Sequence, residues 1–126
     1  MQNIEIMGIV NAYSAQKEKG EGVRLPAAVA WKRRVNLDKL FQAKKIIDEA
    51  LREIGERYAD DEHSVEENGS RRVKAEYMAD YAKEQGEILM QETDVDIRKV
   101  KIEDLGNIDL ADDDLDTLAF MIAEVE

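Results

Sequence analysis

The chain has 126 residues, no cysteine, and 29 acidic against 18 basic side chains, which gives a formal net charge of -11. This length predicts a single helical domain spanning residues 1–126. The acidity argues against direct binding to nucleic acid or an anionic membrane, because phosphate binding requires a positive footprint. The absence of cysteine excludes a disulfide framework and a thiolate nucleophile.

The N-terminal segment lacks the features of a signal peptide. No basic residues precede its apolar run, and Glu5 lies inside that run. No uninterrupted apolar stretch approaches the roughly 18–20 residues that a helix needs to span a bilayer. We therefore expect a soluble protein of the cytoplasm.

The first helix is predicted from about Asn3 to Lys19. Ile6, Val10 and Tyr13 recur on one face of this segment, and Gly20 ends it.

A long second helix is predicted from Pro26 to about Asp60. Seven positions within it follow one another at alternating intervals of three and four and form a seam: Leu37, Leu40, Lys44, Ile47, Leu51, Ile54 and Tyr58. This spacing is typical of a helix that lies lengthwise on another helix. The polar residues around Val35 predict a break or bend near Val35–Asn36, with Asn36 capping the continuation.

A polar turn follows, over residues 60–70, and contains the turn dipeptide Asn68-Gly69. A further helix is predicted from about Ser70 to Glu92. Two long helices joined by a short polar loop should fold back on each other, which predicts a long antiparallel helical hairpin.

One short β element is predicted around Val95–Ile102, because Val95 and Ile97 alternate with charged residues and two further β-branched residues follow in the opposite phase. A strand needs a pairing partner. Three candidates remain open, namely Val23–Leu25, Ile108–Leu110 and the same strand in a second copy of the chain.

A last helix is predicted after Gly106. The acidic residues at its start favour a helix N-terminus, and its apolar stripe comprises Leu115, Leu118, Ile122 and Val125.

Catalytic and metal-binding patterns find no support. His63 is the only histidine and stands in the polar turn without an accompanying nucleophile, so we interpret it as an exposed loop residue. The acidic run that starts at Asp112 fails the EF-hand pattern, since Thr117 and Ala123 occupy the positions that require glycine and glutamate. We expect no catalytic residues, no cofactor and no bound metal.

The best candidates for contact with a partner lie near Trp31. A basic run, Lys32–Arg34, adjoins it and could either grip an acidic partner or pair within the chain. Tryptophan and arginine are enriched at binding hot spots. The candidate partner-contact residues are Trp31, Arg33, Arg34, Val95 and Ile97. A second outward surface is expected from Val29, Phe41 and Ile46.

The order of elements resembles that of a family of small uncharacterised proteins of tailed phages and prophages of Gram-positive bacteria. The residues that carry the resemblance are Leu25-Pro26, Tyr58-Ala-Asp-Asp61, Glu92-Thr-Asp-Val-Asp-Ile97, Lys101-Ile-Glu-Asp-Leu105 and Leu118-Ala-Phe-Met-Ile122. The resemblance implies expression in a bacterial cytoplasm during phage growth and a role by contact.

The sequence thus predicts a mainly α fold, with the helical hairpin flanked by N- and C-terminal helices. We expect a non-enzymatic interaction protein that binds a protein partner or itself, with a homodimer favoured. The alternative is an acidic inhibitor that occupies a nucleic-acid-binding surface of a host protein.

Overall fold

The computed structural model describes residues 1–20, 24–106, 110 and 112–123. Its main elements are α1 (Asn3–Glu18), α2 (Ala27–Arg57), β1 (Ser64–Glu67), β2 (Ser70–Val73), α3 (Met78–Leu89) and α4 (Asp112–Leu118). Short 3-10 turns cover Ala75–Tyr77, Ile102–Leu105 and Ala119–Met121. The predicted mainly α fold is confirmed, and a two-stranded antiparallel sheet accompanies the four helices of the described part of the chain.

The seam of α2 faces the interior, as predicted. Leu37, Leu40, Ile47 and Ile54 are buried, and Leu51 is half-buried. Lys44 keeps its ammonium group at the edge of the seam, where Nζ lies 2.5 Å from the Asp48 carboxylate one turn along the same helix. The three-four spacing therefore identifies the buried face of this helix.

α2 continues without a break through Val35–Asn36, so the predicted break and the predicted cap at Asn36 are wrong. Asn36 is fully buried, and its side-chain amide bonds to the backbone of Arg98. The polar residue that suggested a cap instead joins the middle of the helix to a distant segment.

The turn after α2 forms a β-hairpin, and the following helix begins at Met78 and not at Ser70. Asn68 and Gly69 adopt positive φ values of 53° and 80°. This is the geometry of the two-residue turn that matches the twist of paired strands. Ser64 pairs with Val73 and Glu67 with Ser70. The residues on both sides of the turn dipeptide therefore form strands, and the next helix begins only after them.

The β element predicted around Val95–Ile102 does not form a regular strand. Among its described residues, only Val100 makes an isolated bridge, to Ile122. Pairing with the same segment of a second copy stays a prediction. Side chains of α2 bond to three backbone groups of this segment. Lys39 Nζ donates to the Asp96 carbonyl at 2.7 Å, and the Asn36 amide bonds to the carbonyl and the N–H of Arg98. The residues Val23, Ile108 and Val125 of the earlier predictions lie outside the described residues.

Two groups of buried apolar side chains hold the elements together. The first comprises Ile6, Val10, Leu37, Leu40 and Ile47. The second comprises Val29, Val100, Leu105, Leu118 and Met121. The burial of Val29 corrects the expectation that it faces outward. The helices of the described segments include none that is both long enough and apolar enough to cross a membrane.

Candidate functional site

An open groove of about 780 Å³ lies between the C-terminal half of α1 and the N-terminal half of α2. It is lined by Tyr13, Ser14, Lys17 and Glu18 of α1, by Ala30, Arg33, Arg34, Leu37, Asp38 and Phe41 of α2, and by Leu25. Three of these side chains are cationic and two are anionic, so the groove is locally positive on a strongly acidic protein.

An aromatic pair joins the two helices within this groove. The rings of Tyr13 and Phe41 meet edge to face, with centroids 6.3 Å apart and planes inclined by 74°. Aromatic pairs prefer this arrangement because the positive ring edge meets the negative ring face. The pair belongs to the intramolecular packing, yet Phe41 keeps 41% of its surface exposed.

Arg33 connects three helices at the back of the groove. Its guanidinium carbon lies 4.9 Å from the centre of the Tyr13 ring, and one terminal nitrogen donates to the Thr117 hydroxyl at 3.3 Å. Nε is buried and has no hydrogen-bond partner among the described residues. Burial lowers the pKa of the Arg33 guanidinium, and the nearby Tyr13 and Asp114 oppose that shift. Arg33 thus acts first as an internal tie between α1, α2 and α4.

Trp31 and Arg34 lie on the solvent-exposed side of α2. Trp31 exposes 62% of its surface and belongs to neither buried cluster. Arg34 is exposed and forms no ion pair with a residue that the structure describes. Of the five predicted contact residues, these two are the most accessible to a partner.

Val95 and Ile97 are half-buried against the first apolar cluster, and Ile97 also packs against the second. They are held on the extended segment that bonds to Asn36 and Lys39 of α2. Their part in a partner contact stays a prediction.

The outward positions Phe41 and Ile46 were expected to form a second surface, and both are exposed, Ile46 by 71%. They share α2 with Trp31. Asp38 and Lys45, two exposed charged residues of the same helix, were not among the predicted contact residues. The signal that could have found them is the same three-four spacing, on a different side of the helix.

A compact turn brings Asp60, Glu62 and His63 together, with one potential ligand atom of each within 4.8 Å of the others. Asp60 Oδ1 accepts a hydrogen bond from the His63 backbone at 3.0 Å and lies 2.7 Å from Nδ1 of its ring. These bonds lower the pKa of the Asp60 carboxyl. The ring of His63 also packs against Tyr58 and Tyr77. These hydrogen bonds and ring contacts explain why the three side chains lie together, since they hold the turn that leads from α2 into the β-hairpin.

The acidic start of α4 has a structural role at one residue. Asp114 is buried, and its carboxylate accepts a hydrogen bond of 2.6 Å from the Gln16 amide of α1. Thr117 donates to the oxygen of the same amide at 3.1 Å. This polar contact joins α4 to α1 beside Arg33.

The phenol of Tyr58 lies against α3, where its ring meets that of Tyr81 edge to face. Its hydrogen bond to the Glu84 carboxylate of α3 raises the pKa of the phenol to about 12. We expect Glu84→Gln to move the pKa of Tyr58 back toward its ordinary value of 10.0, because the amide does not penalise the phenolate charge. Spectrophotometric titration of the tyrosines measures this change in pKa. The Tyr58→Phe variant shows which part of the titration curve belongs to Tyr58.

The matched control for that titration is Glu87→Gln, an exposed carboxylate on the same helix. It should leave the tyrosine titration unchanged. A titration curve that is the same for Glu84→Gln and the unmodified chain would contradict the assigned hydrogen bond.

Comparisons of the chain with protein-family models, curated proteins and solved structures gave no match.

Proposed function

We propose that this protein is a non-enzymatic binding protein that acts through contact with a protein partner or with a second copy of itself. The observation that carries the proposal is the exposure of three large apolar side chains of α2, since Trp31, Phe41 and Ile46 are exposed by 62%, 41% and 71%. Exposed tryptophan beside arginine has the composition of an interface hot spot. The locally positive groove lies along the same helix and favours an acidic portion of the partner.

The helical scaffold of this proposal is an antiparallel hairpin of α2 and α3. Its support is the sequence of contacts along α2. Arg57 lies 3.1 Å from Glu84, the rings of Tyr58 and Tyr81 meet at 5.2 Å, and the chain after α3 then reaches Lys39. A rigid scaffold of this kind holds the outward side chains in place and reduces the entropy lost on binding.

The biological setting of the proposal is a bacterial cytoplasm during growth of a tailed phage or prophage. Its support is the resemblance in the order of elements and in the segments that begin at Glu92, Lys101 and Leu118. A protein in that setting would meet both phage and host partners.

The test is co-purification with the tagged protein from phage-infected or prophage-induced Gram-positive cells. We expect a specific protein to be retained by the unmodified chain and to be lost at least about tenfold with Trp31→Ala, since truncating a hot spot costs about 2 kcal/mol or more. The matched control is Ile102→Ala, which truncates another exposed apolar side chain away from α2. If no retained protein, including an untagged copy of the chain, depends on Trp31, the proposal fails.

The alternative function, an acidic inhibitor of a nucleic-acid-binding protein, is motivated by the net charge of -11. Such a mimic presents carboxylates in a continuous row. On the outward side of α2, Asp38 and Glu49 are separated by Lys45, which favours the contact protein. Retention of a DNA-binding host protein that duplex DNA displaces, and that salt strongly weakens, would favour the inhibitor instead.

A further inference from the structure

An ordered row of exposed side chains runs along α2 outside its buried seam, and three of them, Arg34, Asp38 and Phe41, also line the open groove beside α1. The side chains of the row follow one another at intervals of three and four residues: Trp31, Arg34, Asp38, Phe41, Lys45, Glu49 and Arg52. At 3.6 residues per turn this spacing places all of them on one face. We call these seven residues the outer stripe. It lies on the helix that carries the proposed contact surface.

The order of charges along the outer stripe allows two copies of it to pair when they run in opposite directions. Arg34 is positive and Asp38 negative in the first half, and Lys45 is positive and Glu49 negative in the second. Turned end for end about a point between Phe41 and Gln42, the stripe places Arg34 opposite Glu49 and Asp38 opposite Lys45. Both pairs are then of opposite sign.

The ends of the stripe match under the same rotation. Trp31 comes opposite Arg52, a combination that favours a cation–π contact. The midpoint between Phe41 and Gln42 is also the middle of α2, which runs from Ala27 to Arg57. Two copies of the helix would therefore overlap along its whole length of about 46 Å.

The charges near this midpoint are available for such a contact. Arg34, Asp38 and Lys45 form no ion pair with any residue in the described ranges, although Arg34 and Asp38 are one turn apart. Glu49 lies 3.9 Å from Arg52, and Arg52 also pairs with Glu56. A parallel arrangement would instead place each charge opposite its own copy and would be repulsive.

We propose that the outer stripe is a self-complementary interface through which two copies of this chain pair antiparallel about a two-fold axis near Phe41 and Gln42. The inference rests on the self-binding branch of the proposed function. It names the surface, the partner and the symmetry of that contact. A two-fold interface is isologous, so each residue pair occurs twice and each substitution acts twice.

The test exchanges the central charges, using Asp38→Lys and Lys45→Asp in the full chain. Sedimentation equilibrium and light scattering should show a dimer for the unmodified chain. Each single variant should dissociate at least about tenfold more readily, because two attractive pairs become two repulsive ones. An equimolar mixture of the two variants should form a heterodimer, and the double variant Asp38→Lys/Lys45→Asp should dimerise again.

The matched control is Lys83→Glu, which reverses an exposed charge on α3 and should leave the dimer unchanged. Circular dichroism checks that every variant folds. A monomeric unmodified chain overturns the inference, as does a dimer that the central substitutions leave intact or that mixing does not restore. If the chain is a monomer and still retains a partner through Trp31, this inference fails while the proposed function stands. If neither self-association nor Trp31-dependent retention occurs, both fail.

Discussion

Leu40→Ala should lower the free energy of unfolding by about 2–5 kcal/mol, the largest effect that we expect from a single apolar truncation in this protein. Leu40 is completely buried at the centre of the first apolar cluster, where Ile6 and Val10 of α1 pack against the seam of α2. Removing most of its side chain leaves a cavity between two helices. That cavity adds to the loss of transfer free energy, because helices that are held elsewhere cannot close it fully.

Urea unfolding monitored by circular dichroism measures the change. Ile102→Ala is the matched control, since it removes an aliphatic side chain of the same size that is 54% exposed. It should change the free energy of unfolding by less than about 1 kcal/mol. Equal effects of the two substitutions would contradict the placement of Leu40 at the core.

The second large effect is expected from Asn36→Ala. The Asn36 amide donates to the Arg98 carbonyl at 2.9 Å and accepts from the Arg98 backbone N–H at 2.8 Å. Losing both bonds should cost about 2–4 kcal/mol. Each buried polar group that is left unpaired costs about 1–3 kcal/mol, and the total for two groups is reduced because Arg98 is exposed to water. Alanine is the better helix former, so the loss cannot come from the intrinsic preference of α2.

Two measurements separate this effect from a general loss of stability. Amide hydrogen exchange should rise at Arg98 and Val100 more than within α1, because the extended segment loses its attachment to α2. Asn11→Ala, an exposed asparagine of α1, should have little effect on either quantity. Unchanged protection of the Arg98 amide would contradict the role assigned to Asn36.

The strengths and errors of the sequence predictions follow from the range of the interactions involved. The buried face of α2 could be predicted because residues three and four apart lie on the same side of a helix. The turn at Asn68-Gly69 was also predicted correctly, but the β-hairpin around it was not. This dipeptide favours a two-residue β-turn between strands, and that preference delays the next helix to Met78.

The alternation around Val95 and Ile97 was misread as a strand. Both side chains do pack toward the interior on alternate positions, as a strand would place them. A strand also requires a neighbouring backbone, and here the neighbour is the side of a helix. Periodicity reports which side chains are buried, and it does not report which groups bond to the backbone.

The amino-acid sequence by itself determined the helical class, the inner face of α2 and the position of the reverse turn. Each of these follows from local geometry and from the spacing of residue types. Only the tertiary structure decided that Asn36 binds Arg98, that Val29 is buried and that Tyr13 and Arg33 line a groove beside Trp31. The physical reason is that these contacts join residues far apart in the chain. Their partners are selected by the packing of whole helices, which no local pattern specifies.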